Sequence, residues 1–144
     1  MKNLTSQMEA YIFEIEMKVR DYECDLQGIV NNANYQSYLE HARHEYLLLT
    51  GNSFAELTKN EVLLVVSRIE MDFRKPLSST DSFVVRLRTR RQGLKLVFFQ
   101  DIFRLPDQVL CLNGKVEVIA MQQGRLNRGE LFDSLLPAPE GYSK

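Results

Sequence analysis

Apolar and charged residues alternate near the start of the chain. Phe13, Ile15, Met17 and Val19 are apolar, and the residues between them are charged. Successive side chains on a β-strand point to opposite faces of its sheet. The alternation therefore predicts a half-buried strand over residues 13–19.

A helical spacing replaces this alternation further along the chain. From about residue 32 to residue 50, apolar residues recur three or four positions apart, as on one face of an α-helix. Gly51 predicts the end of this helix, because glycine readily adopts the left-handed conformation found there. The apolar positions of the predicted helix are Tyr35, Tyr38, Leu39, Ala42, Tyr46 and Leu49.

Four strand-like stretches follow a polar connection. They cover about 62–74, 82–91, 94–104 and 109–121, and Pro76, Gly93 and Pro106 separate them. One early strand, one long helix and a series of antiparallel strands is an α+β pattern, with one face of the sheet packed on the helix. The chain contains no repeat, linker or low-complexity segment, so we expect residues 1–144 to form a single domain.

Composition narrows the class of protein. The chain has 144 residues, of which 44% are hydrophobic, and a formal net charge of −1, which argues against a nucleic-acid-binding surface. Two cysteines are too few for a disulfide scaffold. The first residues lack the apolar segment of a signal peptide, and no apolar run approaches the roughly 20 residues of a membrane helix. We therefore expect a soluble cytoplasmic protein without membrane partners.

The segment before the predicted helix contains the clearest chemical signal. Asp25 opens a turn, Gly28 gives its backbone conformational freedom, and the helix begins a few residues later. The first N–H groups of a helix have no partner within the helix and carry a partial positive charge, so they bind oxyanions. A carboxylate beside a carbonyl polarised by such groups is an arrangement suited to cleaving esters or thioesters. The alternative is a common turn before an Asn N-cap.

Residues 19–46 resemble the hotdog-fold acyl-CoA thioesterases, and the nearest branch is the 4-hydroxybenzoyl-CoA thioesterase-like family. The matching features are Asp25 followed by Gly28-Ile29-Val30, and the helical motif Glu40-His41-Ala42-Arg43. The resemblance extends more loosely over residues 62–76 and 82–120. It implies a curved antiparallel sheet wrapped around one long central helix. It also implies a homodimer joined edge to edge, with active sites at the subunit interface, or a homotetramer built from such dimers.

The resemblance also implies roles for individual residues. Asp25 matches the catalytic carboxylate, which acts as a nucleophile or as a general base for water, and Asn32 matches the position whose main-chain N–H polarises the thioester carbonyl. Gly28 and Asn31 belong to the same substrate-binding turn, although Asn31 and Asn32 are also good helix N-caps. A sister branch keeps its catalytic carboxylate at the position of Glu40. The alternative for Glu40 is an ion pair with Arg43 or His44.

Basic residues cluster at the predicted turn around Gly93. Arg90, Arg91 and Lys95 are candidates for binding the phosphates of coenzyme A (CoA), because relatives place such contacts near this turn. The exposed face of a strand produces the same pattern. The helical segment that contains both histidines, His41 and His44, has no zinc-site spacing, so we expect neither a metal nor another cofactor.

The leading interpretation is a thioesterase that hydrolyses acyl-CoA to a carboxylic acid and CoA. One alternative is an acyl-carrier-protein thioesterase, because the run Val30-Asn31-Asn32 resembles members of that group. Against it, Ile29 and Gln27 stand where plant-type members place His and Asn. The other alternative is a hotdog domain that binds acyl-CoA without turnover. The residues do not define the acyl group.

Overall fold

A computed structural model describes residues 10–51 and 54–135. Every predicted strand and the long helix agree with this structure to within one residue at either end. The predicted polar connection instead contains a short helix. In chain order the elements are β1 (Phe13–Lys18), a 3-10 turn (Asp21–Glu23), α1 (Asn32–Leu49), α2 (Phe54–Lys59), β2 (Val62–Phe73), β3 (Ser82–Gln92), β4 (Lys95–Leu105), β5 (Val109–Gln122), β6 (Arg125–Leu126) and α3 (Glu130–Leu135).

All the strands join one antiparallel sheet. Its order is β1-β3-β4-β5-β2, and β6 pairs with the end of β5. β3 and β4 form a hairpin in which Gln92 lies opposite Lys95, and Gly93 turns the chain with a φ of 61°. The α+β class predicted from the sequence is therefore confirmed.

Helix α1 packs on one face of the sheet through aromatic and aliphatic side chains. Tyr38 lies 4.6 Å from Phe83 and Tyr46 lies 6.1 Å from Phe98, measured between ring centroids. On β5, Gly114 allows the helix to approach closely, because a Cβ there would stand 2.9 Å from the Cδ1 atom of Leu39. The sheet therefore has an inner face toward α1 and an outer face away from it.

The buried side of α1 differs from the prediction in its last turn. Leu49 is 54% exposed, whereas Leu47 is buried. Leu47 lines a cavity together with Leu64 and Val66, both on β2. The buried stripe therefore turns toward β2 at its end, which an extrapolation of the central apolar positions did not anticipate.

Strand β2 is the last strand of the sheet, so one of its backbone edges has no neighbouring strand among the described residues. Four apolar side chains of β2 are also exposed: Leu63, Val65, Val66 and Phe73. A long edge strand with exposed apolar residues is a ready template for pairing with another chain.

Candidate functional site

Asp25 lies in a tight turn that its own backbone closes. Cys24 and Val30 form an isolated β-bridge, and the Asp25 N–H donates to the Ile29 carbonyl at 2.9 Å. Gly28 has a φ of 82°, a conformation that favours glycine. The Gln27 N–H donates to the Asp25 carboxylate at 2.8 Å. The exposed carboxylate is thus held in place by one of its oxygens.

The start of α1 leaves one backbone donor open. Asn31 is the N-cap, and its side-chain oxygen accepts from the Ala33 N–H at 3.0 Å. Its carbonyl accepts from the Asn34 N–H at 2.8 Å. Among residues 10–51 and 54–135, no acceptor pairs with the N–H of Asn32, the first helical residue. An unpaired N–H at a helix N-terminus can bind the oxygen of a ligand.

Glu23 holds this end of the helix against the preceding segment. Its carbonyl accepts from the Asn31 N–H at 3.0 Å and from the side-chain amide of Asn34 at 2.7 Å. Its carboxylate accepts from the Tyr38 hydroxyl at 2.6 Å and from both the N–H and the guanidinium of Arg20.

Burial and hydrogen bonding shift the pKa of the Glu23 carboxyl in opposite directions. Burial works to raise the pKa of its carboxyl, but the hydrogen bonds from Arg20 and Tyr38 outweigh it and hold that pKa below its usual value. Burial and the Glu23 carboxylate together raise the pKa of the Tyr38 hydroxyl, which stays a donor. Sequence patterns did not identify this pair, because its contact joins residues that only the fold brings together.

A cleft of about 280 Å³ opens beside Asn32; we call it the Asn32 cleft. Its walls combine apolar side chains with two exposed cations, Arg74 and Lys75, from the segment after β2. The Arg74 guanidinium donates to Asn113 at 3.0 Å. The lining residues are Ile29, Val30, Asn32, Tyr35, Phe73, Arg74, Lys75 and Pro76. The residue that carries the open donor therefore lines a space that can receive a ligand.

A second opening lies further along α1 and contains Glu40; we call it the Arg43 cavity. It measures about 190 Å³, and its walls are Glu40, Arg43, His44, Leu47, Leu64, Val66, Phe98 and Val118. The Glu40 carboxylate lies 3.6 Å from the Nε2 atom of His44, which is one of the two ion-pair partners considered for it from the sequence.

Arg43 is buried at this cavity and forms no direct ion pair with a carboxylate of the described residues. Its guanidinium donates to the Gln100 side-chain oxygen at 3.1 Å, and the Gln100 amide donates to the Leu39 carbonyl at 2.9 Å. Burial lowers the pKa of Arg43 to about 10, while the nearby Glu40 works to raise it. The sequence did contain a signal for this burial, because Arg43 lies four residues from both Leu39 and Leu47 on the apolar stripe.

The three basic residues predicted to bind phosphate do not form one cluster. Arg90 and Lys95 lie on the outer face, where Arg90 is 5.5 Å from the ring of Phe99 and Lys95 donates to Glu117 at 2.6 Å. Arg91 lies on the opposite face by strand alternation. It pairs with Asp133 and donates to the carbonyls of Gly93 and Arg128. None of the three lines the Asn32 cleft or the Arg43 cavity.

A larger hollow, of about 460 Å³, lies on the outer face of the sheet. One of the carboxylates that line it, Asp101, already accepts from the Tyr11 hydroxyl at 2.7 Å and from the Asn113 side-chain amide at 2.9 Å. It lies away from α1, so we do not place the reaction there. The described residues form no cluster of three or more potential metal ligands. No helix in residues 10–51 or 54–135 is long and apolar enough to cross a bilayer.

Comparison with known proteins supports the resemblance noted above. The sequence pattern of the Thioesterase-like superfamily matches residues 19–140. The chain is 42% identical over 103 residues to the chloroplastic acyl-acyl carrier protein thioesterase ATL3 of Arabidopsis thaliana, an alignment that covers 71% of this chain and 54% of that protein. It is 33% identical over 127 residues to the long-chain acyl-CoA thioesterase FadM of Escherichia coli, covering 85% of this chain and 96% of FadM.

Solved structures agree with the fold. A protein from Aquifex aeolicus superimposes with a TM-score of 0.79 at 25% identity, over 85% of this chain and 98% of that one. The chain spans about half the length of the two plant relatives it matches, 54% and 55%. The family match covers most of the sequence, and the single sheet packed on α1 is the architecture that the resemblance implied. The chain therefore belongs to the thioesterase-like superfamily and has the hotdog fold.

Proposed function

We propose that this protein hydrolyses acyl thioesters, releasing a carboxylic acid and a thiol, at the start of α1. One observation carries the proposal: the Asn32 N–H has no acceptor among the described residues, and Asn32 lines a cleft that can receive a ligand. A thioester carbonyl oxygen that accepts from this N–H would gain negative charge as its carbon is attacked. The helix N-terminus stabilises that charge, and a donor of this kind contributes about 2.7–4 kcal/mol to the transition state.

Asp25 supplies the carboxylate in this proposal, by one of two routes. As a nucleophile, a carboxylate oxygen bonds to the carbonyl carbon, the carbon–sulfur bond breaks, the thiolate leaves, and water hydrolyses the resulting anhydride. As a general base, the carboxylate takes a proton from the water that attacks the carbonyl carbon, and the carbon–sulfur bond of the resulting tetrahedral intermediate then breaks to release the thiolate. The turn closed by Gly28 and the hydrogen bond from Gln27 support either role, because they hold the side chain just before α1.

Two carriers fit the proposal, coenzyme A and the acyl-carrier protein. Both present the acyl group on a pantetheine arm joined to a phosphate. FadM is an acyl-CoA thioesterase and ATL3 is an acyl-acyl carrier protein thioesterase, so the relatives favour neither carrier. The identity of 42% to ATL3 is the observation that keeps the carrier-protein ester as a second candidate substrate.

For CoA esters, we place the phosphates near the β3–β4 turn. Arg90 and Lys95 share the outer face at this turn, which supports a shared contact. Arg91 supports it less, because it lies on the opposite face, where its guanidinium contacts Asp133 and two carbonyls. The phosphate contact would then come mainly from Arg90 and Lys95.

We further propose that two copies pair along β2. The edge of this strand has no neighbour among the described residues, and it exposes apolar side chains that water would otherwise surround. The Asn32 cleft includes Phe73, and the Arg43 cavity includes Leu64 and Val66, so both openings reach β2. A second copy on this edge would form one wall of the Asn32 cleft and one wall of the Arg43 cavity.

A thiol-release assay tests the proposed function. The purified protein is given matched acyl groups of several lengths, each as the CoA ester and as the carrier-protein ester, with thiol detection. We expect hydrolysis of at least one series above the uncatalysed rate. Tight binding of the esters without thiol release would instead assign the protein to acyl-thioester binding.

A further inference from the structure

The Arg43 cavity joins a buried cation to a largely apolar wall. Arg43 is only 7% exposed, and its guanidinium makes a single hydrogen bond, to Gln100, among residues 10–51 and 54–135. A guanidinium has five N–H donors. Buried donors without acceptors are unfavourable, and a buried charge without a partner more so. The remaining donors therefore have no acceptor among residues 10–51 and 54–135, and a ligand that enters the cavity can supply one.

The cavity lies on the same side of α1 as the proposed reaction site. Arg43 follows Asn32 by eleven residues, which is close to three full helical turns and places it about 16 Å along the helix axis. Gln36 is exposed and lies between them on the same side. Arg43 is therefore within reach of an acyl chain that binds at Asn32 and extends along this side of α1.

The charges that face Arg43 limit what can bind beside it. Glu40 and His44 line the same cavity, and Gln100 contacts the guanidinium from β4. The Glu40 carboxylate disfavours a second anion in this small space. A hydroxyl group satisfies both sides, because it can accept from Arg43 and donate to Glu40.

We propose that Arg43 selects the acyl group of the substrate, by donating hydrogen bonds to a hydroxyl oxygen near the end of the chain that is distant from the thioester. The inference rests on the proposed function, since it takes the ligand to be an acyl thioester bound at Asn32. Leu47, Leu64 and Phe98 would contact the apolar part of the chain. Glu40 would then be a specificity residue and not the catalytic carboxylate.

A binding measurement tests this inference separately from turnover. The ligands are non-hydrolysable thioether analogues of dodecanoyl-CoA and ω-hydroxydodecanoyl-CoA, and calorimetry measures their Kd values. We expect the wild-type protein to bind the hydroxyl analogue at least about tenfold more tightly, as a hydrogen bond to a charged group gives. Arg43→Met should remove this preference, and Arg43→Lys should keep part of it.

Two results would overturn the inference. One is equal Kd values for the two analogues in the wild-type protein, or failure of both to bind. The other is an unchanged preference in Arg43→Met. If Arg43→Met fails to fold, Arg43→Lys is measured in its place, because it keeps the charge but cannot donate from a planar fork. A reduced preference in Arg43→Lys then supports the inference, and an unchanged preference overturns it. Turnover of dodecanoyl-CoA by the wild-type protein, measured in parallel, shows whether the proposed function itself holds.

Discussion

The two openings beside α1 differ in the atoms that define them. At the Asn32 cleft the open donor is a backbone N–H, left over because Asn31 satisfies its neighbours. At the Arg43 cavity the polar groups are side chains, Glu40 and Arg43, set among apolar residues. A backbone donor tolerates changes of side chain, whereas a side-chain pair changes with every substitution. The comparison distinguishes a reaction end that the backbone defines from a selecting end that side chains define.

Removing the charge of each carboxylate separates the two ends most strongly. Asp25→Asn keeps the shape of the side chain, and we expect kcat to fall by at least about a hundredfold with KM little changed. Glu40→Gln should reduce the stabilisation of the transition state by less than about 1 kcal/mol, since an exposed ion pair contributes little. Steady-state kinetics on one acyl thioester measures both. A mild Asp25→Asn beside an inactive Glu40→Gln would move the reaction to the Arg43 cavity.

Weakening the support of the Asn32 end should lower stability in a pH-dependent way. Glu23→Gln loses charge-assisted hydrogen bonds from Arg20 and Tyr38, so we expect a loss of about 1–3 kcal/mol in the free energy of unfolding at neutral pH.

The sign of the pH dependence follows from the lowered pKa of Glu23. A carboxylate with a lowered folded-state pKa stabilises the protein above its unfolded value, near 4.5, and this contribution disappears as the pH falls through the folded-state value. Denaturant titrations of both proteins should therefore converge in acid. A constant difference down to pH values well below 4.5 would contradict the assignment.

Positive charges introduced on β2 should weaken the pairing of two copies and so expose both the Asn32 cleft and the Arg43 cavity. Replacing Leu63 and Val65 with Lys leaves the strand able to pair with β5 but disfavours pairing with a second copy. Light scattering should give about twice the chain mass of 16.8 kDa for the wild type and a dimer dissociation constant raised at least about tenfold for the double variant. Leu126→Lys, an equally exposed residue on β6, is the control. A monomeric wild type at micromolar concentration would contradict the proposed pairing.

The smallest effect is expected at the β3–β4 turn, which belongs to neither end. Replacing Arg90 and Lys95 with Ala should raise KM for CoA esters a few-fold with kcat unchanged, as expected when uniform binding is lost. Arg91→Ala should instead lower the melting temperature, because Arg91 contacts Asp133 and the Arg128 carbonyl. An unchanged KM in the double variant would mean that Arg90 and Lys95 do not bind the CoA phosphates and belong only to an exposed strand face.

The sequence predicted the parts of the molecule that repeat a pattern. The strands and α1 agree closely because alternation and helical spacing persist over many residues. The short helices α2 and α3 have six residues each and offer too few turns for such a pattern. The sequence could have predicted the face on which Arg91 lies. Arg91 is an even number of residues from Phe83 on β3 and shares its face, whereas Arg90 is an odd number away and lies on the other face.

Contacts between segments that are distant along the chain could not be predicted from the sequence. The bond between the Tyr38 hydroxyl and Glu23, and that between Arg43 and Gln100, each require the fold to bring the two side chains together. The Asp25–Asn32 segment was found because all its members lie within a single turn and the helix that follows. The Arg43 cavity was not, because α1, β2, β4 and β5 each contribute to its wall.

A substitution that removes only the Asn32 N–H tests the central claim most directly. Proline lacks this donor, is well tolerated at the first helical position, and suits the extended backbone of the preceding Asn31, with a φ of −66° and a ψ of 137°. Asn32→Ala is the matched control, because it removes the side chain and keeps the N–H. With thioester turnover as the readout, we expect Asn32→Ala to stay active and Asn32→Pro, still folded by circular dichroism, to lose about a hundred- to a thousandfold in kcat. Equal activity of the two variants would contradict the proposal that this backbone donor polarises the thioester.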